Sequence, residues 1–343
     1  MKAKLIVLIC VMSFSLSLQA DEHFKKHIGF SETFFGSEED YQVCYPKDHK
    51  NFFYSIIGFA LLSTTLGFFI IRIKTKSNKL LKEKNAIIEE KNHDMVSSIT
   101  YARRIQNSIL PSKNLLNELS NNLFVFYKPK DIVSGDFYWA HKDGENLYMA
   151  VVDCTGHGVP GAFLSLVGKY SLDKAVKEDH RTNPSEILDK MNEYVKGALQ
   201  QEENKELRDG MEVAFCKLNT KTGELEYAGA NLSLLVISKG EIEEVKSSKC
   251  TVGSVQEHVI EAPKTHKIQL EKGDSFYVFS DGFADQMGGK LNKKYKSVNL
   301  KSFIKATAKE TPQSHCMLLS KELEQWRGNY EQVDDVCVMG YKL

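Results

Sequence analysis

The chain has 343 residues, enough for one large domain or two ordinary ones. Lys and Arg together number 45, and so do Asp and Glu, leaving a net charge of zero. No positive field and no basic, aromatic-interleaved stripe is present, which excludes the usual footprint of a nucleic-acid-binding protein.

Lys2 and Lys4 precede an apolar run over residues 5–18, and Ser17-Leu18-Gln19-Ala20 meets the charged Asp21-Glu22. A basic start, a short apolar core and a small residue before a charged break predict a secretory signal peptide over residues 1–20. The alternative is an uncleaved membrane helix, but the run is shorter than the roughly 20 residues a span requires. Residues 21–51 then form a short external segment, too small to bury a core of its own. A second apolar run, residues 52–73, has only Arg72 charged at its edge and predicts a transmembrane helix. Arg72, Lys74, Lys76, Lys79, Lys82 and Lys84 follow, whereas Glu38, Glu39, Asp40 and Asp48 precede it. This positive-inside bias places everything after residue 73 in the cytoplasm. Cys154, Cys216, Cys250, Cys316 and Cys337 fall on that side without CxxC spacing, so neither disulfides nor a zinc site is implied.

From residue 74 to 110 the pattern is helical. Leu81, Ile88, Met95, Ala102 and Ile109 recur every seventh residue, and Asn78, Asn85, Asn92, Ile99 and Gln106 precede them by three. Read as heptads, the two sets fill d and a of a parallel coiled coil, whose buried Asn residues specify a two-stranded register at some cost in stability. For the second half, a single amphipathic helix lying on the following domain fits equally. Pro111 ends the helix.

Residues 111–343 alternate short strands and helices. Strands are predicted at 123–127, 147–153, 211–218, 224–228, 234–237, 267–270, 275–279 and 336–341, with hairpin signals at Lys221-Thr222-Gly223 and Ser238-Lys239-Gly240. Helices are predicted at 162–177, 185–199, 300–308 and 313–325, with Asn183-Pro184-Ser185-Glu186 as a capped start. Hairpins interleaved with paired helices indicate a layered α/β domain of antiparallel sheets, not a doubly wound parallel one.

Four acidic residues stand in short signatures far apart in this domain: Asp136 in Ser134-Gly135-Asp136-Phe137, Asp153 in Val151-Val152-Asp153-Cys154-Thr155-Gly156-His157-Gly158, Asp281 in Phe279-Ser280-Asp281-Gly282, and Asp334 beside Asp335. Any single Asp at a strand end usually caps a turn. Several together, without a His or Cys ligand set, point to a hard divalent cation such as Mg²⁺ or Mn²⁺. Such a cation readies water for attack on a phosphate.

In their order and glycine contexts these motifs resemble the metal-dependent protein phosphatase (PPM, protein phosphatase 2C-like) family, in its SpoIIE-type bacterial branch. The resemblance spans residues 111–343. It takes in Tyr101-Ala102-Arg103-Arg104-Ile105-Gln106, Asp209-Gly210-Met211-Glu212, Ala228-Gly229-Ala230-Asn231 and Gln332-Val333-Asp334-Asp335. It implies an αββα sandwich of two antiparallel sheets flanked by helix pairs, preceded by the transmembrane helix and coiled-coil linker. It also implies two Mn²⁺ or Mg²⁺ ions: Asp153 bridging them, the Cys154 carbonyl completing one shell, Asp281 and Asp334 on the second ion, and Asp136 acting directly or through water. Asp335, often Asn in the wider family, is a supporting residue of the metal set. His157 is either a general acid for the leaving alkoxide or a turn residue shaping the glycine loop, and Asp209 either contacts metal or caps its strand. Asn231 replaces an acid common in the family, which weakens a third ion site. Lys128 and Lys130 are candidate phosphate contacts by position only.

The implied protein is a single-pass phosphoserine/phosphothreonine phosphatase of the bacterial inner membrane, dimeric through its linker, without nucleic acid as partner. Its substrate is a cytoplasmic phosphoprotein of the anti-anti-sigma type. The alternative is a catalytically silent, membrane-tethered signalling module.

Overall fold

The computed structural model describes residues 48–343 except residue 120 and residues 201–208 and 255–260. The expected signal peptide, and the external segment up to residue 47, lie outside the described residues. The chain divides into two units between Lys82 and Glu83.

A single helix, α1, runs from Asp48 to Ile109. Among the described residues one helix, Phe53–Ile109, is long and apolar enough to cross a membrane. It stops two residues before Pro111, in keeping with the conformational restriction proline places on its predecessor. Of the five d positions of the expected heptads, Leu81, Ile88 and Met95 are exposed, and Ala102 and Ile109 are partly buried. Gln106, the last a position, is buried to 4% exposure against Ser134 and Ser165 of the second unit, to which it belongs. The end of α1 therefore lies on its own domain, the alternative open for that half.

After α2 (Lys113–Glu118) the chain forms β1 (Leu123–Lys128), β2 (Phe137–Asp143) and β3 (Asn146–Cys154). Next come α3 (Gly158–Asp173), a π-helical turn at Lys174–Glu178 and α4 (Pro184–Ala198). Five strands follow: β4 (Met211–Asn219), β5 (Glu224–Ala230), β6 (Leu234–Ser238), β7 (Glu241–Val245) and β8 (His266–Gln269). The chain continues through β9 (Ser275–Phe279), α5 (Gly282–Asp285), the short pair β10 (Met287–Gly288) and β11 (Lys293–Lys294), α6 (Ser297–Thr307), α7 (Pro312–Arg327) and β12 (Val336–Lys342).

Two five-stranded antiparallel sheets result, in the orders β1-β12-β9-β6-β7 and β2-β3-β4-β5-β8. Because side chains alternate along a strand, each sheet presents two apolar faces. Met149 and Val151 of the second sheet meet Val278 and Met339 of the first in the inner core. The second sheet's outer face, with Trp139 and Phe215, packs on α3 and α4 through Leu172, Leu188 and Met191. The first sheet's outer face, with Phe126 and Val338, packs on α6 and α7 through Ile304 and Leu323. Three cores thus separate four layers: helices, sheet, sheet, helices.

The expected strands and long helices are present with ends shifted by a few residues. Asn183 caps α4 as expected, its side chain accepting from the Ser185 N–H at 3.0 Å. Strands β2, β7, β10 and β11 and helices α2 and α5 were not expected. Strand β2 loses its alternation where Trp139 and Ala140 are both buried, and β7 is a charged edge strand, Glu-Ile-Glu-Glu-Val. Trp139 and Trp326 pack as expected, each donating its indole N–H, to Asp173 and to the Gln286 carbonyl respectively.

Candidate metal centre

The two sheets meet at one end in a set of acidic side chains. Asp136 stands immediately before β2 and Asp153 one residue before the end of β3, both on the second sheet. Asp281 follows β9, and Asp334 and Asp335 precede β12, on the first.

Close backbone packing makes this convergence possible. A Cβ on Gly135 would lie 2.4 Å from the Gly156 carbonyl oxygen, and one on Gly161 would lie 2.3 Å from the same atom. Only glycine lets the segment before Asp136 press onto the loop after Asp153. Thr155 ties that loop to β4, its N–H and hydroxyl both donating to the Gly210 carbonyl.

The carboxylates differ in what they already bind. Asp335 is saturated: one oxygen accepts the Lys130 N–H and the other the Gly135 N–H, both at 2.7 Å. It is a brace holding the 130–135 loop, consistent with a supporting place. Asp136 is 2% exposed and accepts from the Ser280 hydroxyl at 2.5 Å, a bond that crosses from one sheet to the other. The Asp334 carboxylate accepts the Asp335 N–H, at 2.8 Å. Asp281 occupies the N-cap position of α5, yet its side chain makes no capping bond, and its charge acts on Asp153 and Glu212. The turn-capping explanation fails for Asp281 and holds for Asp335.

Crowding raises the proton affinity of the group. Asp136 is pushed well above the ordinary carboxyl range, first by burial and then by the Asp153 charge. Burial raises Asp153 too, helped by Asp281, Glu212 and Asp334, while a hydrogen bond shared with Asp136 works in the opposite direction. Asp281 is raised by desolvation and then by Asp285 and Asp334. The Cys154 and Cys337 thiols are pushed well up by burial and by these carboxylates, so they stay protonated and are no nucleophiles.

Two neighbours were missed in the sequence. Glu212 pairs with Asp153 across β3 and β4, and its carboxyl is raised by burial and by Asp281. It lay in a quoted motif, but only strand register reveals that it faces the cluster. Asp131 Oδ2 accepts from His157 Nδ1 at 2.8 Å, while Lys130 Nζ donates to His157 Nε2 at 3.0 Å. His157 is thus fixed by side-chain partners at the start of α3, while Lys128 is turned away to Glu324. Asn231 has φ 60° and donates to Glu212 at 3.2 Å.

The donor set fits hard divalent cations: oxygen ligands only, with Asp136 buried and Asp136, Asp153 and Asp281 raised in proton affinity first by desolvation and then by neighbouring carboxylates. Among the described residues no three His, Cys, Asp or Glu side chains converge tightly enough to enclose an ion by themselves. Ions that keep several waters suit such an open set.

An αββα sandwich with this acidic cluster where its two sheets meet defines a phosphatase domain of the PP2C type. Residues 143–343 match the family profile of stage II sporulation protein E (SpoIIE), more than half of the chain, and the protein belongs to that family. It is 24% identical over 195 residues to the phosphoserine phosphatase RsbU of Bacillus subtilis (strain 168), covering 56% of this chain and 55% of RsbU. The chain thus spans about half the length of the curated relative it matches. The SiaA-PP2C domain of Pseudomonas aeruginosa superposes with a TM-score of 0.68 at 26% identity, covering 74% of this chain and 98% of that domain. The phosphatase domain of SpoIIE from Bacillus subtilis, solved with a fragment of its regulatory domain, shares the fold, with a TM-score of 0.52 at 17% identity. That superposition covers 65% of this chain and 63% of that one.

Proposed function

We propose that this protein is a metal-dependent phosphoserine/phosphothreonine phosphatase, held at the bacterial inner membrane by residues 52–73 and acting on a cytoplasmic phosphoprotein of the anti-anti-sigma type. The observation that carries the reading is the convergence of Asp136, Asp153, Asp281 and Asp334 from both sheets, with the proton affinities of Asp136, Asp153 and Asp281 raised. The similarity to RsbU, a phosphoserine phosphatase, supports the substrate class.

Asp153 would bridge two Mn²⁺ or Mg²⁺ ions with the Cys154 carbonyl, Asp281 and Asp334 would hold the second, and Asp136 would serve directly or through water. Bound there, the metals supply an activated water and neutralise charge on the phosphoryl oxygens. The chain's own residues prepare that chemistry. The Ser280 hydroxyl fixes the rotamer of Asp136, and Asp335 braces the loop leading to it. Lys130 and His157 stand at the rim as hydrogen-bonding groups for the phosphate or leaving oxygen. The exposed apolar d positions Leu81, Ile88 and Met95 support dimerisation through the first half of the linker.

The full chain in detergent should hydrolyse a phosphoserine peptide with Mn²⁺, and EDTA or Asp153→Asn should stop it. Metal-loaded protein inert on several phosphoproteins would refute the reading. Calorimetry showing no Mn²⁺ binding would favour the silent module instead.

A further inference from the structure

From Gln286 to Lys309 the chain carries Lys290, Lys293, Lys294, Lys296, Lys301, Lys305 and Lys309, and no Asp or Glu. This one-sign stretch, in a protein of zero net charge, begins five residues after Asp281. Its first part is the β10–β11 hairpin, and that hairpin is built into the metal centre's support. Gln286, fully buried, donates to the Met287 and Glu331 carbonyls and accepts from the Val333 N–H, linking the Asp281 turn to the loop before Asp334. The Tyr295 N–H returns to the Gln286 carbonyl and the Lys296 N–H to the Ala284 carbonyl, at 3.0 and 2.7 Å. The Tyr295 ring packs edge-on against Phe283 and Trp326.

The lysines on this platform divide by partner. Lys294 pairs with Asp285 at 2.7 Å, while Lys301 and Lys305 pair with Glu244 and Glu241 of β7. Lys290, Lys293 and Lys296 are exposed and form no ion pair among the described residues. Beside them Leu291 is 74% exposed and Val298 71%. Three unpaired ammonium groups with two bare apolar side chains, on a fixed loop at the edge of an acidic centre, form a surface complementary to an anionic, partly apolar chain. The acidic cluster itself repels such a chain, so the lysines supply the attraction that the centre lacks.

We propose that the β10–β11 hairpin docks acidic residues flanking the phosphoserine of the substrate protein. The proposal rests on the phosphatase reading for the identity of the bound chain. Phosphate chemistry selects the residue to be cleaved, and Lys290, Lys293 and Lys296 select the sequence around it.

The test uses the full chain in phosphatidylcholine nanodiscs, with fluorescent phosphoserine peptides flanked by Glu or by Ala, and EDTA to prevent turnover. Glu flanks should tighten binding about tenfold, the size expected of three exposed ion pairs. The combined variant Lys290→Glu, Lys293→Glu and Lys296→Glu should erase that preference. Its Gln counterpart, which removes charge without reversing it, should reduce the preference by a smaller factor. With Mn²⁺ restored, hydrolysis of p-nitrophenyl phosphate, which has no flanks, should stay within about twofold of the parent in both variants, since none of the three lysines belongs to the metal set. No preference in the parent, or a preference that survives the Glu variant, overturns the proposal. Loss of selectivity on replacing the discs with phosphatidylserine-containing ones assigns the lysines to an anionic lipid surface and overturns it as well. If the parent binds Glu-flanked peptide selectively but does not hydrolyse p-nitrophenyl phosphate, the phosphatase reading fails and the docking surface stands.

Discussion

Replacing Asp153 by Asn should make the metal-free protein more stable while abolishing its response to metal. Asn keeps an oxygen to accept the hydrogen bond shared with Asp136 and removes a charge that Asp281, Glu212 and Asp334 oppose. Raising a carboxyl from its ordinary 3.8 to about 7 corresponds to roughly 4 kcal/mol, at about 1.4 kcal/mol per tenfold. Part of that strain stays with Asp136, which is raised as well, so about 1–2 kcal/mol should be released by the substitution. For a domain of this size that is about 2–8 °C in Tm. The sign follows from proton binding. Folded Asp153 holds its proton where the unfolded chain has lost it, so this stability is present at low pH and fades as pH rises through about 7. Thermal unfolding in EDTA at pH 5.5 and pH 8 measures it. The parent should lose stability between the two values and the variant should lose less, while Mn²⁺ should raise Tm in the parent alone. A variant less stable than the parent in EDTA at pH 8, or a parent whose Tm does not fall with pH, would refute the argument.

Gln106→Leu removes two donated bonds and one accepted from Ser134, leaving buried backbone groups unpaired, and should cost about 2–4 kcal/mol in urea unfolding. Mn²⁺ affinity by calorimetry should weaken as well, because the same residues lead to Asp136. Gly135→Ala places a methyl group against the Gly156 carbonyl and should cost at least about 1–3 kcal/mol, with loss of phosphatase activity. Replacing Asn85 and Asn92 with Leu should strengthen dimerisation in analytical ultracentrifugation and change activity with it; an altered dimer with unaltered activity would sink the regulatory use of the linker.

What could be read in the sequence was whatever is encoded locally. Asp136 and Asp281 sit beside a glycine, Asp334 beside a second acid, and Asp153 at a strand end just before a glycine-rich loop, and their motifs carry the family pattern. Asn183 announces its helix in four residues. Glu212 and Asp131 reach the site through strand register and loop packing, which no short window records. The supporting duty expected of Asp335 took its physical form only in the fold, where its two oxygens hold two backbone amides. Gln106 fits a heptad as well as any residue in its row. Only the neighbouring Ser134 and Ser165 show that the last turn of α1 serves the domain.

Asp136 and Asp153 belong to one sheet, Asp281 and Asp334 to the other, and the Ser280–Asp136 bond is a stitch between them. Ions held between these two pairs would act as a rivet through the sandwich. Sliding one sheet past the other by less than a residue spacing would then separate the halves of the coordination sphere without unfolding either. Catalytic competence would then become a gauge of how the two layers are aligned, and a force reaching either one would have a short mechanical path to the chemistry.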